Sequence, residues 1–290
     1  MSTPRFLDLP PVVRRTTLRT ARGEFAVLEA VPIGEPERQP ALLVPGYTGS
    51  KEDFLGVLQT LTRAGRRVVA VDMRGQYETA GTPDEPDNYR LSALSADIRA
   101  LADKLGPEPV HLVGHSFGGL VTREAVLADP TAVASFTLMS SGPGAIAGQS
   151  AERAHTLREA LKVLGMADIW DIKLGPDAVA AGRPGPVISF LRDRSLRTCP
   201  RGLIEMAGEL LTAPDKVEDL CKVCDDADLP IMVLFGEDDD AWDPRVQAAM
   251  ADRLDAVRVV IPGAAHSPAW EAPETTAHAL TDFWNSAERH

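Results

Sequence analysis

The sequence predicts an α/β fold, a doubly wound and mostly parallel sheet that is interrupted by an inserted helical region. Short apolar segments alternate with amphipathic helical segments over the first half of the chain, as in consecutive βαβ units. The alternation stops near residue 149 and resumes at Ile231. Residues 114–118 read Gly-His-Ser-Phe-Gly and lie between an apolar strand and a helix, the context in which Gly-x-Ser-x-Gly forms a sharp turn that exposes its serine.

The composition indicates which binding partners and which cellular compartment to expect. A chain of 290 residues with 44% hydrophobic content can bury one large core. Its net charge of −12 argues against nucleic acid and anionic membrane surfaces, which both bind basic proteins. No apolar run approaches the roughly 20 residues of a membrane span, and Met1–Leu18 lacks the apolar region of a secretory signal. Three cysteines, an odd number, are typical of a reducing compartment, so we expect a cytoplasmic protein.

The first half of the chain contains the predicted strands and helices of the parallel sheet. Thr17–Val31 is expected to form one or two antiparallel strands around a turn at residues 22–24. Apolar segments that end in turn residues predict the buried strands Ala41–Val44, Arg67–Val71, Val110–Val113 and Ser135–Met139. Amphipathic helices are predicted after Ser50, after Ser92 and over Leu120–Leu127.

The region from residue 149 to 228 is predicted to be a helical insertion. Helical segments without an evident strand follow one another there, namely Ala151–Leu164, Val187–Arg194, Gly202–Leu211 and Val217–Cys224. Strands are predicted again at Ile231–Phe235 and Val257–Ile261, followed by an amphipathic helix that contains Ala277 and Trp284. The predicted organisation is therefore a core of residues 1–148 and 229–290 that holds the insertion 149–228.

Ser116 and His266 are the predicted nucleophile and base. A serine hydroxyl needs an adjacent base, and that base needs a third group to orient it. Of the six histidines, His266 stands apart because it lies in the loop directly after the last predicted strand, whereas His115 is fixed beside the serine. Loops at the carboxyl ends of parallel strands gather at one edge of the sheet, and Ser116 lies at the same edge.

The acid and the oxyanion donors are predicted from the other strand ends. Four consecutive acids follow Phe235, and among them Asp239 is the first choice, with Asp238 second and Asp240 third. The order Ser, Asp, His is the one expected for this architecture. The backbone N–H of Phe117 and that of Tyr47, in the loop after the strand that ends at Val44, are the predicted oxyanion donors.

From Ala41 to the carboxyl end, the chain resembles the α/β-hydrolase superfamily. The matching features are, in chain order, Pro45-Gly46-Tyr47, Asp72-Met73-Arg74-Gly75, the Ser116 turn, Gly236-x-x-Asp239 and the His266 loop. The resemblance implies an eight-stranded sheet, a helical cap over the serine and hydrolysis through an acyl-enzyme. Pro45 replaces the family's usual histidine but leaves the predicted oxyanion donors, the N–H groups of Tyr47 and Phe117, in place. A serine at the turn argues against the dehalogenase and epoxide-hydrolase branches.

The predicted function is hydrolysis of a small, largely apolar, ester-like substrate by a carboxylesterase-like serine hydrolase without cofactor or metal. Cys221 and Cys224 lack the second ligand pair of a closed zinc site, so packing is the favoured role. His115, Trp170 and Trp242 are candidate pocket residues. A thioester, lactone, amide or carbon–carbon bond as substrate remains an alternative, as does cofactor-free perhydrolysis. A non-catalytic ligand-binding protein with this fold is the alternative from another class.

Overall fold

An eight-stranded sheet forms the centre of the molecule in the computed structural model, which describes residues 3–34, 36 and 38–289. The strands are β1 Val13–Thr20, β2 Gly23–Ala30, β3 Arg38–Val44, β4 Arg66–Val71, β5 Val110–His115, β6 Val133–Met139, β7 Ile231–Gly236 and β8 Val257–Ile261. Their spatial order is β1-β2-β4-β3-β5-β6-β7-β8. β2 pairs antiparallel with both β1 and β4, and every other pairing is parallel. The predicted fold class, including its eight mostly parallel strands, is confirmed.

Helices cover both faces of the sheet. They are α1 Leu55–Arg63, α2 Leu91–Leu105, α3 Phe117–Ala128, α4 Gly148–Leu161, α5 Met166–Ile169, α6 Gly175–Ala180, α7 Gly185–Arg197, α8 Pro200–Thr212, α9 Val217–Asp226, α10 Pro244–Arg253, α11 Pro268–Glu271 and α12 Pro273–Ala287. Within β3, Ala41 and Leu43 pack in the core beside α1 and α12, whereas Leu42 and Val44 pack in the core beside α2 and α3. A strand buried on both faces reads as a continuous apolar run, which is how β3 appears in the sequence.

The hairpin at the start of the sheet differs from its prediction. β1 begins at Val13, four residues before the predicted start at Thr17, and the turn lies at residues 21–22, one residue early. β1 is an edge strand, and most of its residues are at least partly exposed. Such a strand needs no apolar alternation, so its first residues carry no strand pattern.

The order of the strands creates one switch point in the sheet. The chain runs from β3 outward to β4 and then returns to place β5 on the other side of β3. The loops after β3 and β5 therefore leave neighbouring strands in opposite directions, and the crevice between them is where α/β sheets bind ligands. Those loops contain Tyr47 and Ser116.

Six α-helices, α4 to α9, lie between β6 and β7 and occupy the predicted helical insertion, residues 149–228. The prediction omitted the stretch from Met166 to Ala180, where α5 continues through a π-helix, Trp170–Leu174, into α6. Over residues 3–34, 36 and 38–289, no helix is both long and apolar enough to cross a bilayer.

Candidate active site

Ser116 lies in a strained turn between β5 and α3. Its backbone has φ 54° and ψ −121°, a conformation that is costly for a residue with a side chain. The Ser116 N–H donates to Met139 O at 2.9 Å, and the Ser141 hydroxyl donates to Ser116 O at 2.8 Å. Gly118 is needed because a Cβ there would collide with the Val44 and Pro45 carbonyls. Contacts from β3 and β6 thus hold the strained turn.

Asp239 binds the imidazole of His266. His266 Nδ1 and Asp239 Oδ1 are 3.0 Å apart, and the two residues come from the loops after β8 and β7. Asp239 is buried, whereas Asp238 and Asp240 are exposed. A carboxylate can only accept hydrogen bonds, so Nδ1 carries the proton and Nε2 remains available as a base. Of the three acids considered, the structure brings Asp239 to the histidine.

Four hydrogen bonds keep Asp239 ionised. Besides His266, the backbone N–H groups of Ala241 and Trp242 donate to Oδ1 at 2.9 and 3.2 Å, and Gln247 Nε2 donates to Oδ2 at 2.9 Å. Burial alone would raise the pKa of Asp239. The hydrogen bond from His266, the charge of His266 and the two backbone donors outweigh burial and lower the pKa to about 2. Asp239 is therefore a carboxylate at neutral pH.

Two side chains fix the backbone around His266. Glu271 Oε2 accepts from the N–H groups on either side of it, those of Ala265 at 2.8 Å and Ser267 at 3.0 Å. His115 Nε2 donates to the His266 carbonyl at 2.7 Å. His115 precedes Ser116, so this bond joins the Ser116 turn directly to the His266 loop.

His115 is neutral in this arrangement. Only 4% of it is exposed, and burial, reinforced by the nearby His266, lowers its pKa to about 3. Because a carbonyl cannot donate, the proton of the neutral ring lies on Nε2. The His115 and His266 rings lie against each other, with centroids 4.9 Å apart.

Ser116 and His266 lie in loops at the same edge of the sheet and are not hydrogen bonded to each other. No bond joins the Ser116 hydroxyl to the imidazole of His266, both of which belong to the described part of the chain. In free enzymes such bonds are often long and shorten when substrate binds. Ser116 is 8% exposed and the His266 side chain 21%.

The loop after β3 lies against Ser116. A Cβ built on Gly46 would be 3.1 Å from Ser116 Cβ, so glycine permits this close approach. Gln76 Nε2 donates to the carbonyls of Gly46 at 2.8 Å and Tyr47 at 3.2 Å, which fixes both carbonyls. The Tyr47 N–H has no acceptor among the described residues, and the N–H of Phe117, the first residue of α3, has none within its helix.

A family model of the α/β hydrolase fold matches residues 40–273. This chain belongs to the α/β-hydrolase fold family. The superfamily resemblance seen in the sequence is thereby confirmed.

Relatives of this α/β-hydrolase chain have diverse names. The sn-1-specific diacylglycerol lipase ABHD11 of Mus musculus is 30% identical over 149 residues, which are 49% of this chain and 47% of the lipase. A proline iminopeptidase of Clostridium botulinum is 29% identical over 117 residues, 40% of each protein. The matches span less than half the length of these curated relatives. A thermophilic esterase from Thermogutta terrifontis has the same fold, with a TM-score of 0.72 at 24% identity, covering 94% of this chain and 99% of the esterase.

The two predicted pocket tryptophans lie in packed surroundings. The Trp242 ring lies against Gly142 in the larger core, and the backbone N–H of Trp242 donates to Asp239. Trp170 packs with Val187 and Phe190 inside the helical insertion. A substrate-binding role for these tryptophans and for His115 stays a prediction.

Sequence reasoning missed four residues that support the site: Gln76, Ser141, Gln247 and Glu271. Each acts through a bond to backbone or to Asp239 rather than through a motif, so no local pattern marks it. Within the described residues, no group of three or more His, Cys, Asp or Glu is placed to hold a metal ion.

Proposed function

We propose that this chain is a serine hydrolase that cleaves carboxylic ester-like bonds through Ser116, His266 and Asp239. The observation that carries the proposal is the 3.0 Å contact between His266 and Asp239 beside the strained turn of Ser116. Nucleophile, base and orienting acid come from three strand-end loops at one edge of the sheet, the arrangement that activates a serine.

The proposed reaction begins with proton transfer from the Ser116 hydroxyl to His266 Nε2. The serine oxygen attacks the acyl carbon, and the carbonyl oxygen becomes negatively charged. His266 then gives the proton to the leaving alcohol, and an acyl-enzyme remains. Water repeats the sequence and releases the acid. Asp239 accepts the Nδ1 hydrogen bond throughout, which keeps Nε2 facing the serine and stabilises the imidazolium.

The N–H groups of Tyr47 and Phe117 are the proposed donors to the negatively charged oxygen. Both are without a described or intrahelical acceptor and flank the serine. Donors that are already oriented stabilise the developing charge without reorganisation, and loss of one costs about 10²–10³-fold in kcat.

An ester-like substrate is favoured for two reasons. Apolar residues of the helical insertion, including Leu161, Met166 and Ile169, cluster beside Tyr47, so an apolar acyl group would find matching surroundings. A diacylglycerol lipase is also among the relatives. The proline iminopeptidase among the relatives makes amide hydrolysis the second candidate, which p-nitroanilide substrates test beside p-nitrophenyl esters.

Replacing Ser116 with alanine tests the mechanism. We expect Ser116→Ala to lower kcat for p-nitrophenyl butyrate to background, on the order of 10⁶-fold, and to abolish labelling by a fluorophosphonate, which reacts only with an activated serine. Ser92→Ala, a change at an exposed serine, is the matched control and should retain both properties. Undiminished hydrolysis in Ser116→Ala would refute the mechanism. Absence of labelling in the wild-type chain would favour a non-catalytic ligand-binding protein.

A further inference from the structure

Tyr47 connects the loop beside Ser116 with the helical insertion. Its phenol donates a hydrogen bond to the Leu203 carbonyl of α8 at 2.9 Å. Its ring packs against the apolar cluster that α4, α5 and α8 form with Leu161, Met166 and Ile169. Burial raises the pKa of the Tyr47 phenol, so the hydroxyl stays protonated and remains a donor at the pH values where hydrolases are assayed.

The backbone of Tyr47 is held from the opposite side. Gln76, which is fully buried, donates to the carbonyls of Gly46 and Tyr47. Gln76 Oε1 in turn accepts from the Met73 N–H at 3.1 Å. The core therefore fixes the carbonyls of this loop, while the hydrogen bond to α8 fixes the side chain of the same residue.

We propose that the Tyr47 phenol is a positioning group that makes the oxyanion hole depend on the docking of α8. The inference rests on the proposed function, because it assumes that the Tyr47 N–H binds the oxyanion. With α8 in contact, the side chain is held at its far end and the peptide cannot rotate. With α8 displaced, His266 and Asp239 keep their hydrogen bond, but the Tyr47 N–H loses one of its two constraints.

This arrangement predicts a particular kinetic effect. The oxyanion forms only in the transition state, so loosening its donor weakens transition-state binding and leaves ground-state binding largely unchanged. Loss of the phenol hydroxyl should therefore lower kcat rather than raise KM. A purely structural role in holding the insertion would instead reduce stability without that selectivity.

The experiment compares two variants that each remove one phenol oxygen at the contact between core and insertion. In Tyr47→Phe the bond to Leu203 is lost; in Tyr77→Phe the bond to Asp193 of α7, at 3.0 Å, is lost. For each we would measure kcat and KM with p-nitrophenyl butyrate, the second-order rate of fluorophosphonate labelling and the Tm. A single hydrogen bond is small against domain stability, so both variants are expected to fold.

We expect Tyr47→Phe to lower kcat and the labelling rate by about tenfold, less than complete loss of a donor, with KM within about twofold. In Tyr77→Phe, kcat, KM and the labelling rate should all stay within about twofold of wild type, although the Tm should fall by a similar amount. Equal rates in Tyr47→Phe and wild type would overturn the inference, and so would equal losses in the two variants. If wild type itself is neither active nor labelled, the proposed function fails instead.

Discussion

His115 lies where the Ser116 turn meets the His266 loop. It precedes Ser116 in the chain, and its Nε2 donates to the carbonyl of His266. Glu271 holds the peptide N–H groups on either side of His266. His266, the proposed base, is therefore held through its own backbone as well as through Asp239, and we expect its distance from Ser116 to depend on the His115 bond.

Replacing His115 tests this dependence. His115→Leu removes the donor and leaves a buried carbonyl unpaired, so we expect kcat to fall about tenfold as the His266 loop shifts. His115→Gln can place an amide N–H near the position of Nε2 and should recover most of the loss. Steady-state kinetics with a p-nitrophenyl ester would measure both variants.

The pH profile separates positioning from proton transfer. The pKa of His115 is about 3, lowered chiefly by burial, so its ring is neutral over the assay range of about pH 5–9. The limbs of the kcat/KM profile should therefore keep their positions in His115→Gln. If the acidic limb of the kcat/KM profile were lost in His115→Gln, His115 and not His266 would be the group that accepts the proton.

The proposed catalytic residues were predicted from the sequence, whereas the residues that support them were not. Ser116 and His266 follow strands directly, so a local pattern places each at the edge of the sheet. Asp239 could not be separated from Asp238 by pattern, because burial distinguishes them and burial depends on tertiary structure. Gln247 reaches Asp239 from a helix eight residues later, a contact that no spacing rule anticipates.

At the scale of elements, a buried ion pair attaches α7 to the core. Arg194 Nη1 lies 3.0 Å from Asp53 Oδ1, and the two side chains are only 1% and 3% exposed. The Asp53 carboxylate also accepts the Ser50 N–H at 3.3 Å, so the pair adjoins the segment that follows the Tyr47 loop. Burial raises the pKa of Asp53, and the charge of Arg194 opposes that rise.

Breaking this pair should destabilise the protein strongly. Arg194→Met leaves the Asp53 carboxylate buried without its cation, and we expect a loss of about 3–5 kcal/mol in the free energy of unfolding by urea. The double variant Arg194→Met/Asp53→Asn removes that charge and should recover more than half of the loss. Arg192→Met, at an exposed site of the same helix, should stay within about 0.5 kcal/mol of wild type. A double variant no more stable than Arg194→Met would contradict the argument.

The helices of the insertion were predicted wherever their apolar spacing was regular. Four predicted segments correspond to α4, α7, α8 and α9, with ends displaced by a few residues. The stretch from Met166 to Ala180 was missed because a π-helix interrupts it and changes the spacing of its apolar residues from the usual 3.6. Gly175-Pro176, which begins α6, resembles a break in the sequence although Pro is well tolerated in the first turn.

At the scale of the whole molecule, the two edges of the sheet have different roles. The carboxyl ends of β3, β5, β7 and β8 lead to the candidate site, whereas the amino ends are closed by the chain after α12. There Glu288 accepts from Arg66 Nη2 at 2.9 Å, from Arg38 Nη1 at 2.7 Å and contacts His111 Nε2 at 3.0 Å. The His111 ring stacks on Trp284 of α12, with centroids 5.2 Å apart.

This closure should make stability depend on the charge of Glu288. Burial raises the pKa of Glu288, but the bonds from His111, Arg66 and Arg38 outweigh burial and lower it to about 2. A carboxyl whose folded pKa lies below its unfolded value of about 4.5 stabilises the fold above that value and loses the contribution as pH falls towards 2. Because the side chain is partly solvated, we expect Glu288→Gln to cost about 1–2 kcal/mol in unfolding free energy at pH 7, and the difference from wild type to shrink between pH 4.5 and 2.

Urea unfolding at several pH values would measure this difference in unfolding free energy. Asp282→Asn, at an exposed site of α12, is the control with the same change of charge. A Glu288→Gln deficit that stays constant down to pH 2 would mean that packing, and not the carboxylate, closes this edge.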